Sequence, residues 1–176
     1  MSVYEKENIF VQGTGSIIFD HKSKKAYACI SPRTDQVLFI IACELSGYQP
    51  ISFNANDSIG KAIYHTNVML CIAEHCATIC LESISNEEER KLVSQSLTES
   101  GHQIIDISFE QMFRFAENIL ALESNDGRSL LALSQSAFTS LTDDQKEKIE
   151  PHSILVTLAI NTIETMGGGS ALCMIG

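Results

Sequence analysis

Short apolar runs alternate along this chain with polar, turn-forming clusters, and the runs return in one order three times. Residues 9–20, Ile-Phe-Val-Gln-Gly-Thr-Gly-Ser-Ile-Ile-Phe-Asp, predict a turn of small residues followed by a short strand. Lys25 to Ser31 predicts a second strand, with Asp20-His21-Lys22-Ser23-Lys24 as the polar hairpin turn between them. Pro32-Arg33-Thr34-Asp35 marks a helix start with Thr34 as N-cap. The helix runs from Gln36 to Leu45, and Gly47 stops it. A strand then runs from Gln49 to Asn54.

The order repeats twice. Ile63 to Ala73 and Cys76 to Ser83 are β-rich, and Asn86-Glu87-Glu88-Glu89-Arg90 opens a helix with its carboxylates in the turn the helix dipole favours. That helix ends at Gly101, and Ile104 to Ile107 is the next strand. In the third round, Asn118–Leu122 and Leu130–Leu133 flank the turn Ser124-Asn125-Asp126-Gly127. A helix from Thr142 to Ile149, capped by Thr142 or Ser140, and a strand from Ile154 to Leu158 complete it. The segment from Glu110 to Ala116 is short and amphipathic and is expected to pack on the sheet. Three ββαβ rounds predict an α/β ring, propeller or solenoid of repeated units.

At 176 residues the chain suits a single domain, 1–176. A net charge of −10 weighs against nucleic acid or an anionic membrane as partner. No apolar run approaches bilayer length, and Met1 to Asn8 lacks the apolar core of a signal peptide. The six cysteines lie mostly in apolar runs, which points to reduced thiols in a cytoplasmic protein.

Candidate chemistry gathers at the end of the sequence. Gly167-Gly168-Gly169-Ser170-Ala171-Leu172-Cys173 leads a flexible backbone into a thiol, as a nucleophile held against a pocket would require; a tail with a buried cysteine is the alternative. Of five histidines, His21 lies in a hairpin turn and His102 and His152 just after helices, where solvated side chains are expected, and His75 neighbours two cysteines. His65 differs. In an alternating strand, His65 and Asn67 would share one face and put an imidazole and an amide into an apolar wall. A hydrogen-bonded core histidine is the competing reading. Cys71, His75, Cys76 and Cys80 lack the Cys-x2-Cys spacing of zinc ribbons, so core cysteines are expected and no metal is assigned. Gln12-Gly13-Thr14-Gly15-Ser16 precedes a strand, not a helix, which argues against a nucleotide site.

Four stretches together, Gln12–Ser16, Ala26–Thr34, Ile63–Met69 and Gly167–Met174, resemble one family in order. It is the amidinotransferase-related branch of the guanidino-group-modifying enzymes, near the citrulline-utilisation hydrolases and the arginine deiminases. The resemblance implies the pentein fold, a ring of five ββαβ units around a substrate tunnel, of which this chain would form about three, the C-terminal part. It implies a Cys-dependent hydrolase or amidinotransferase acting on a small guanidino or ureido compound, with no cofactor. Cys173 matches the nucleophile and His65 the acid/base. Gln12, Asn67, Gly168 and Gly169 would line the substrate pocket.

Two positions depart from the family pattern. Gln12 stands where glutamate is usual, and Leu172 where arginine commonly precedes the cysteine. With these changes and two units absent, activity is expected to be weak or lost, a non-catalytic scaffold being the alternative. The open ring is expected to self-associate or to pair with a chain supplying the remaining units.

Overall fold

In a computed structural model, residues 9–175 are described; the polar N-terminal stretch 1–8 and Gly176 lie outside the described residues. Three small sheets of identical plan succeed one another. In the first, β1 (Ile18–Asp20) pairs antiparallel with β2 (Lys25–Cys29), which pairs parallel with β3 (Gln49–Phe53). In the second, β4 (Leu70–Ile72), β5 (Cys76–Ile79) and β6 (Gln103–Asp106) repeat that order, as do β7 (Leu120–Glu123), β8 (Ser129–Ser134) and β9 (Ile154–Leu158) in the third. A parallel pair cannot be closed by a hairpin, so a helical segment crosses from the middle strand to the last in every unit. The ββαβ reading and its three rounds are therefore present.

Local chemistry sets the helix bounds. A short α1 (Gly13–Ser16) precedes the first strand. The first crossover helix, α2 (Gln36–Ser46), is capped by Asp35, whose carboxylate accepts from the Leu38 amide. Thr34, expected as that cap, is instead buried and donates its hydroxyl to Ser16 Oγ at 2.8 Å. Gly47 ends the helix at φ 73°, where a Cβ would be strained. Asn86 caps α3 (Glu87–Glu99), accepting from two backbone amides. Ser108 opens α4 (Phe109–Met112), the segment read as amphipathic, which buries Met112 and leaves Phe113 exposed. The third unit contains α5 (Gln135–Ser140), not anticipated from the sequence, and α6 (Asp143–Ile149), held by a capping box at Thr142. Two further helices, α7 (Asn161–Gly167) and α8 (Ala171–Ile175), replace the simple glycine-rich tail.

One apolar core runs through all three units, from Tyr27 and Phe53 through Leu70, Ile79, Leu97 and Ile105 to Leu131 and Leu133. Cys71, Cys76 and Cys80 belong to it. Burial pushes the thiol of Cys76 up to about 11 and those of Cys71 and Cys80 up to about 12, so they pack as small hydrophobes. The third sheet carries exposed Leu122, Ile154 and Val156. No helix among the described residues is long and apolar enough to cross a membrane.

Polar contacts lock the units together. Tyr27 of the first sheet meets Ser96 Oγ of α3 at 2.9 Å. His102, expected at a solvated helix end, is buried: its Nε2 lies 2.9 Å from Asp20 Oδ2, and both side chains are 2% exposed. Asp20 also accepts from Ser23 Oγ. Burial raises the Asp20 carboxyl's proton affinity, but the hydrogen bonds from Ser23 and His102 outweigh it and hold the pKa below the ordinary carboxylate range. A carboxyl so depressed contributes stability above its unfolded pKa and loses it as pH falls through the folded one. Asp20→Ala should therefore cost about 3 kcal/mol near neutrality. In urea titrations the variant should also lose part of the stability drop that the parent shows below about pH 4. Equal stability of the two proteins at pH 7 would refute the pair as a fastening between units.

Candidate active site

Two loops and the last described helix meet at Cys173. The first loop spans 63–69. Ile63 to Ala73, read as one β-rich run, contains a single turn of 3-10 helix at Thr66–Val68 before β4 begins at Leu70. Thr66 decides this. Its buried hydroxyl donates to Ser16 O at 2.5 Å and accepts from Cys29 N at 2.8 Å, so the loop is pinned across β2 where a strand would leave it free. His65 and Asn67 therefore do not share a face by strand alternation, yet both emerge half-buried at the same end of the molecule.

His65 is held from three sides. Its Nε2 lies 2.9 Å from Gln12 Oε1; because the amide oxygen only accepts, Nε2 carries the proton. Its ring lies over Gly15, where a Cβ would come within 2.8 Å of Nδ1. Tyr64 flanks it, with ring centroids 4.9 Å apart, and the Arg33 guanidinium covers the Tyr64 ring. Burial first, and the Arg33 charge second, lower the imidazole's proton affinity below its ordinary value. Gln12, read as a pocket residue, thus serves as the hydrogen-bond partner of His65.

Around the thiol the groups are amides. Asn118 Nδ2 donates to Cys173 Sγ at 3.1 Å, and Asn67 Nδ2 lies 4.0 Å from the same sulfur. Asn118 Oδ1 accepts from the backbone N–H of Leu172, 3.0 Å, and of Cys173, 3.4 Å, capping the start of α8 while its amide addresses the thiol. The sequence reading placed Asn118 in a strand; the strand begins at Leu120, and Asn118 sits in the turn before it. Phe115, at φ 62°, reverses the chain after α4, a costly conformation for a bulky residue, and leads into Glu117 and Asn118. Cys173 is exposed, while the other five cysteines are buried.

The glycine stretch divides its tasks. Gly168 closes α7 at φ 66° with no neighbour within reach of a Cβ. At Gly169, a Cβ would fall 2.9 Å from the Cys173 Cβ and 3.4 Å from its sulfur, so only glycine lets the thiol sit so close to the turn. Ser170, buried, donates to Glu164 Oε1 at 2.7 Å and fixes the turn to α7. Behind the loop that bears His65, a cleft of about 250 Å³ is walled mainly by Tyr64, Val68, Met112 and Phe115. Among the described residues no His/Cys/Asp/Glu group could hold a metal.

The family model for eukaryotic N,N-dimethylarginine dimethylhydrolase matches residues 1–176. No curated protein matches in sequence. Among solved structures, AgrE crystallised with L-arginine aligns with a TM-score of 0.72 at 15% identity, over 92% of this chain and 22% of that one. ArgZ, an arginine dihydrolase from the ornithine-ammonia cycle in cyanobacteria, aligns at 0.70 and 15%, over 97% and 26%. Its substrate-bound N-terminal domain aligns at 0.68 and 14%, over 96% and 60%. The chain thus spans about a quarter of the full-length structures and three-fifths of that domain; at such identities the likeness establishes the fold, part of a pentein ring.

Proposed function

The chain belongs to the eukaryotic N,N-dimethylarginine dimethylhydrolase family, and from that premise we propose that it is a Cys-dependent C–N hydrolase of a small guanidino or ureido compound. The observation that carries this reading is the convergence of two amides, from Asn118 and Asn67, on the sulfur of Cys173. Neutral donors stabilise a thiolate without burying a second charge. In the proposed reaction the thiolate attacks the central carbon of the substrate, and the carbon–nitrogen bond to the leaving amine breaks as that amine takes up a proton. Water then attacks the resulting thiouronium carbon, releasing a ureido product and restoring the sulfur. His65 would give the proton to the amine and take one from water. Gly169 gives the sulfur room, and the triple-glycine turn would border the substrate.

Two features support slow turnover. The Nε2 proton of His65 is committed to Gln12, so it must exchange that bond for one to substrate before it can transfer. The depressed proton affinity of the ring also keeps it neutral at pH 7, short of the imidazolium needed as a general acid. The same features favour the second reading, a non-catalytic scaffold, and transfer of the amidino group to an amine in place of water remains within the proposal. The exposed Leu122, Ile154 and Val156 of the third sheet support association with a second copy or with a chain supplying further units.

The test is incubation with dimethylarginine, arginine and citrulline, following amine, ammonia and ornithine release beside Cys173→Ser. Slow release by the parent and none by the variant is the expected result, with a substrate-derived mass on the Cys173 peptide. Identical inertness of both proteins, with no adduct, would leave only the scaffold.

A further inference from the structure

The segments that hold His65 meet at three hydroxyls shut away from solvent. Ser16, Thr34 and Thr66 are each 0% exposed. A hydroxyl donates once and accepts twice, and Ser16 uses its full capacity. Its Oγ donates to Arg33 O at 3.1 Å and accepts from Gln12 N at 3.0 Å and from Thr34 Oγ1 at 2.8 Å. Its carbonyl oxygen accepts from Thr66 Oγ1, which in turn takes the Cys29 amide at the end of β2. One serine thus joins the turn 12–16, the loop 31–34 and the loop 63–69. Each of these segments carries a group that confines His65. Gln12 holds Nε2, Gly15 lies against the ring, Arg33 covers the neighbouring Tyr64, and Thr66 follows His65 directly. Gln12 is exposed, so the direction of its side chain is set chiefly by the backbone that Ser16 grips.

We propose that Ser16 is the positioning residue of His65, fixing the place of the ring and its Nε2–H tautomer by clamping the three segments around it. This rests on the guanidino reading for the task His65 performs, while the placement of the ring can be tested without it. Removing the Ser16 hydroxyl leaves Arg33 O and Thr34 Oγ1 without this partner in a buried place. Gln12 N keeps only its longer bond, to Arg33 O at 3.2 Å. Such groups regain partners by moving toward water or one another, and the turn 12–16 moves with them. Gln12 Oε1 then no longer meets Nε2, and neither the tautomer nor the ring angle is specified. Thr34 supplies the contrast. Its hydroxyl is equally buried, but its bond to Ser16 holds none of the groups that touch His65.

Nitrogen NMR of the imidazole, recorded on the full chain, reads both tautomer and titration. In Ser16→Ala the ring should leave the burial and the Arg33 charge that now lower its proton affinity, so its midpoint should rise toward the ordinary histidine range and the tautomers should mix. Thr34→Val, of the same shape without the hydroxyl, should lose stability in urea yet keep the parental midpoint and tautomer. Thr66→Ser, which retains the hydroxyl, should also stay parental, whereas Thr66→Val should follow Ser16→Ala. In the parent, the Gln12 backbone amide should exchange with solvent at least a hundredfold more slowly than an unstructured amide. An unmoved midpoint in Ser16→Ala, equal shifts in Ser16→Ala and Thr34→Val, or an unprotected Gln12 amide would each overturn the assignment. The exchange measurement needs no variant and stands even if Ser16→Ala does not fold. Where the parent turns over dimethylarginine, kcat should fall at least tenfold in Ser16→Ala with KM changed less. A parent inert on every guanidino compound would sink the guanidino reading alone, and the imidazole spectra would still decide the role of Ser16.

Discussion

Asn118→Leu is expected to damage the Cys173 site more than any single change short of removing the sulfur. The native amide acts in two directions: its nitrogen donates to Sγ, and its oxygen takes the N–H groups of Leu172 and Cys173. Leucine fits the volume but leaves both N–H groups at the start of α8 without this partner, a loss of about 1 kcal/mol for part-buried donors that water can reach. The thiolate loses its nearest donor as well. A hydrogen bond to a charged group contributes about 1.5–3 kcal/mol, so alkylation of Cys173 at pH 7 should slow at least tenfold. Asn118→Asp divides the two roles. Aspartate keeps the acceptor oxygen, so α8 should stay docked and the urea midpoint should hardly move. It withdraws the donor and sets a carboxylate against the sulfur, so alkylation should slow further than in the leucine variant. Parent-like labelling rates in both variants would show that Asn118 is only a spacer.

Much of the architecture could be read from the residue pattern because each unit is written in local signals. Alternating apolar runs, turn clusters such as Ser124–Gly127, and stop residues such as Gly47 specify strands and helix ends without help from distant parts of the chain. Cys173 and His65 stood out because their residue types are chemically unusual for their surroundings. What failed was decided by contacts far apart in sequence. Thr66 looks like a strand residue by propensity, yet its hydroxyl finds Ser16 and Cys29 and turns the loop, so local preference yields to tertiary bonding. His102 follows a helix-ending glycine and looks solvated, but Asp20 from another unit buries it. Asn118 sits at the edge of a strand pattern, with no spacing signal to mark it. Only the fold brings it to a sulfur near the other end of the chain. The role of Gln12 was hidden similarly, since a motif position cannot say whether an amide faces a ligand or a neighbouring imidazole.

The same distinction between stability and site geometry makes Gly15→Ala the sharpest probe of His65. Gly15 has ordinary backbone angles, so alanine introduces no conformational strain there. The added methyl would, however, stand 2.8 Å from Nδ1, 3.0 Å from Cγ and 3.1 Å from Cε1 of His65, and the half-buried ring can escape by turning outward. The cost in stability should be within about 0.5 kcal/mol, as for changes that displace an accessible side chain. The cost at the site should be far greater. An outward turn breaks the Nε2–Gln12 bond and moves the proposed acid/base group by about an ångström or more, enough for a loss of the order of a hundredfold in any Cys173-dependent turnover. The imidazole would also escape the burial and the Arg33 charge that now depress its proton affinity, so its NMR titration should move up toward the ordinary histidine range. Unfolding in urea and imidazole titration together separate the outcomes. An unchanged titration with lowered stability would mean that the backbone, not the ring, had yielded, and His65 would then be a structural residue locked in place.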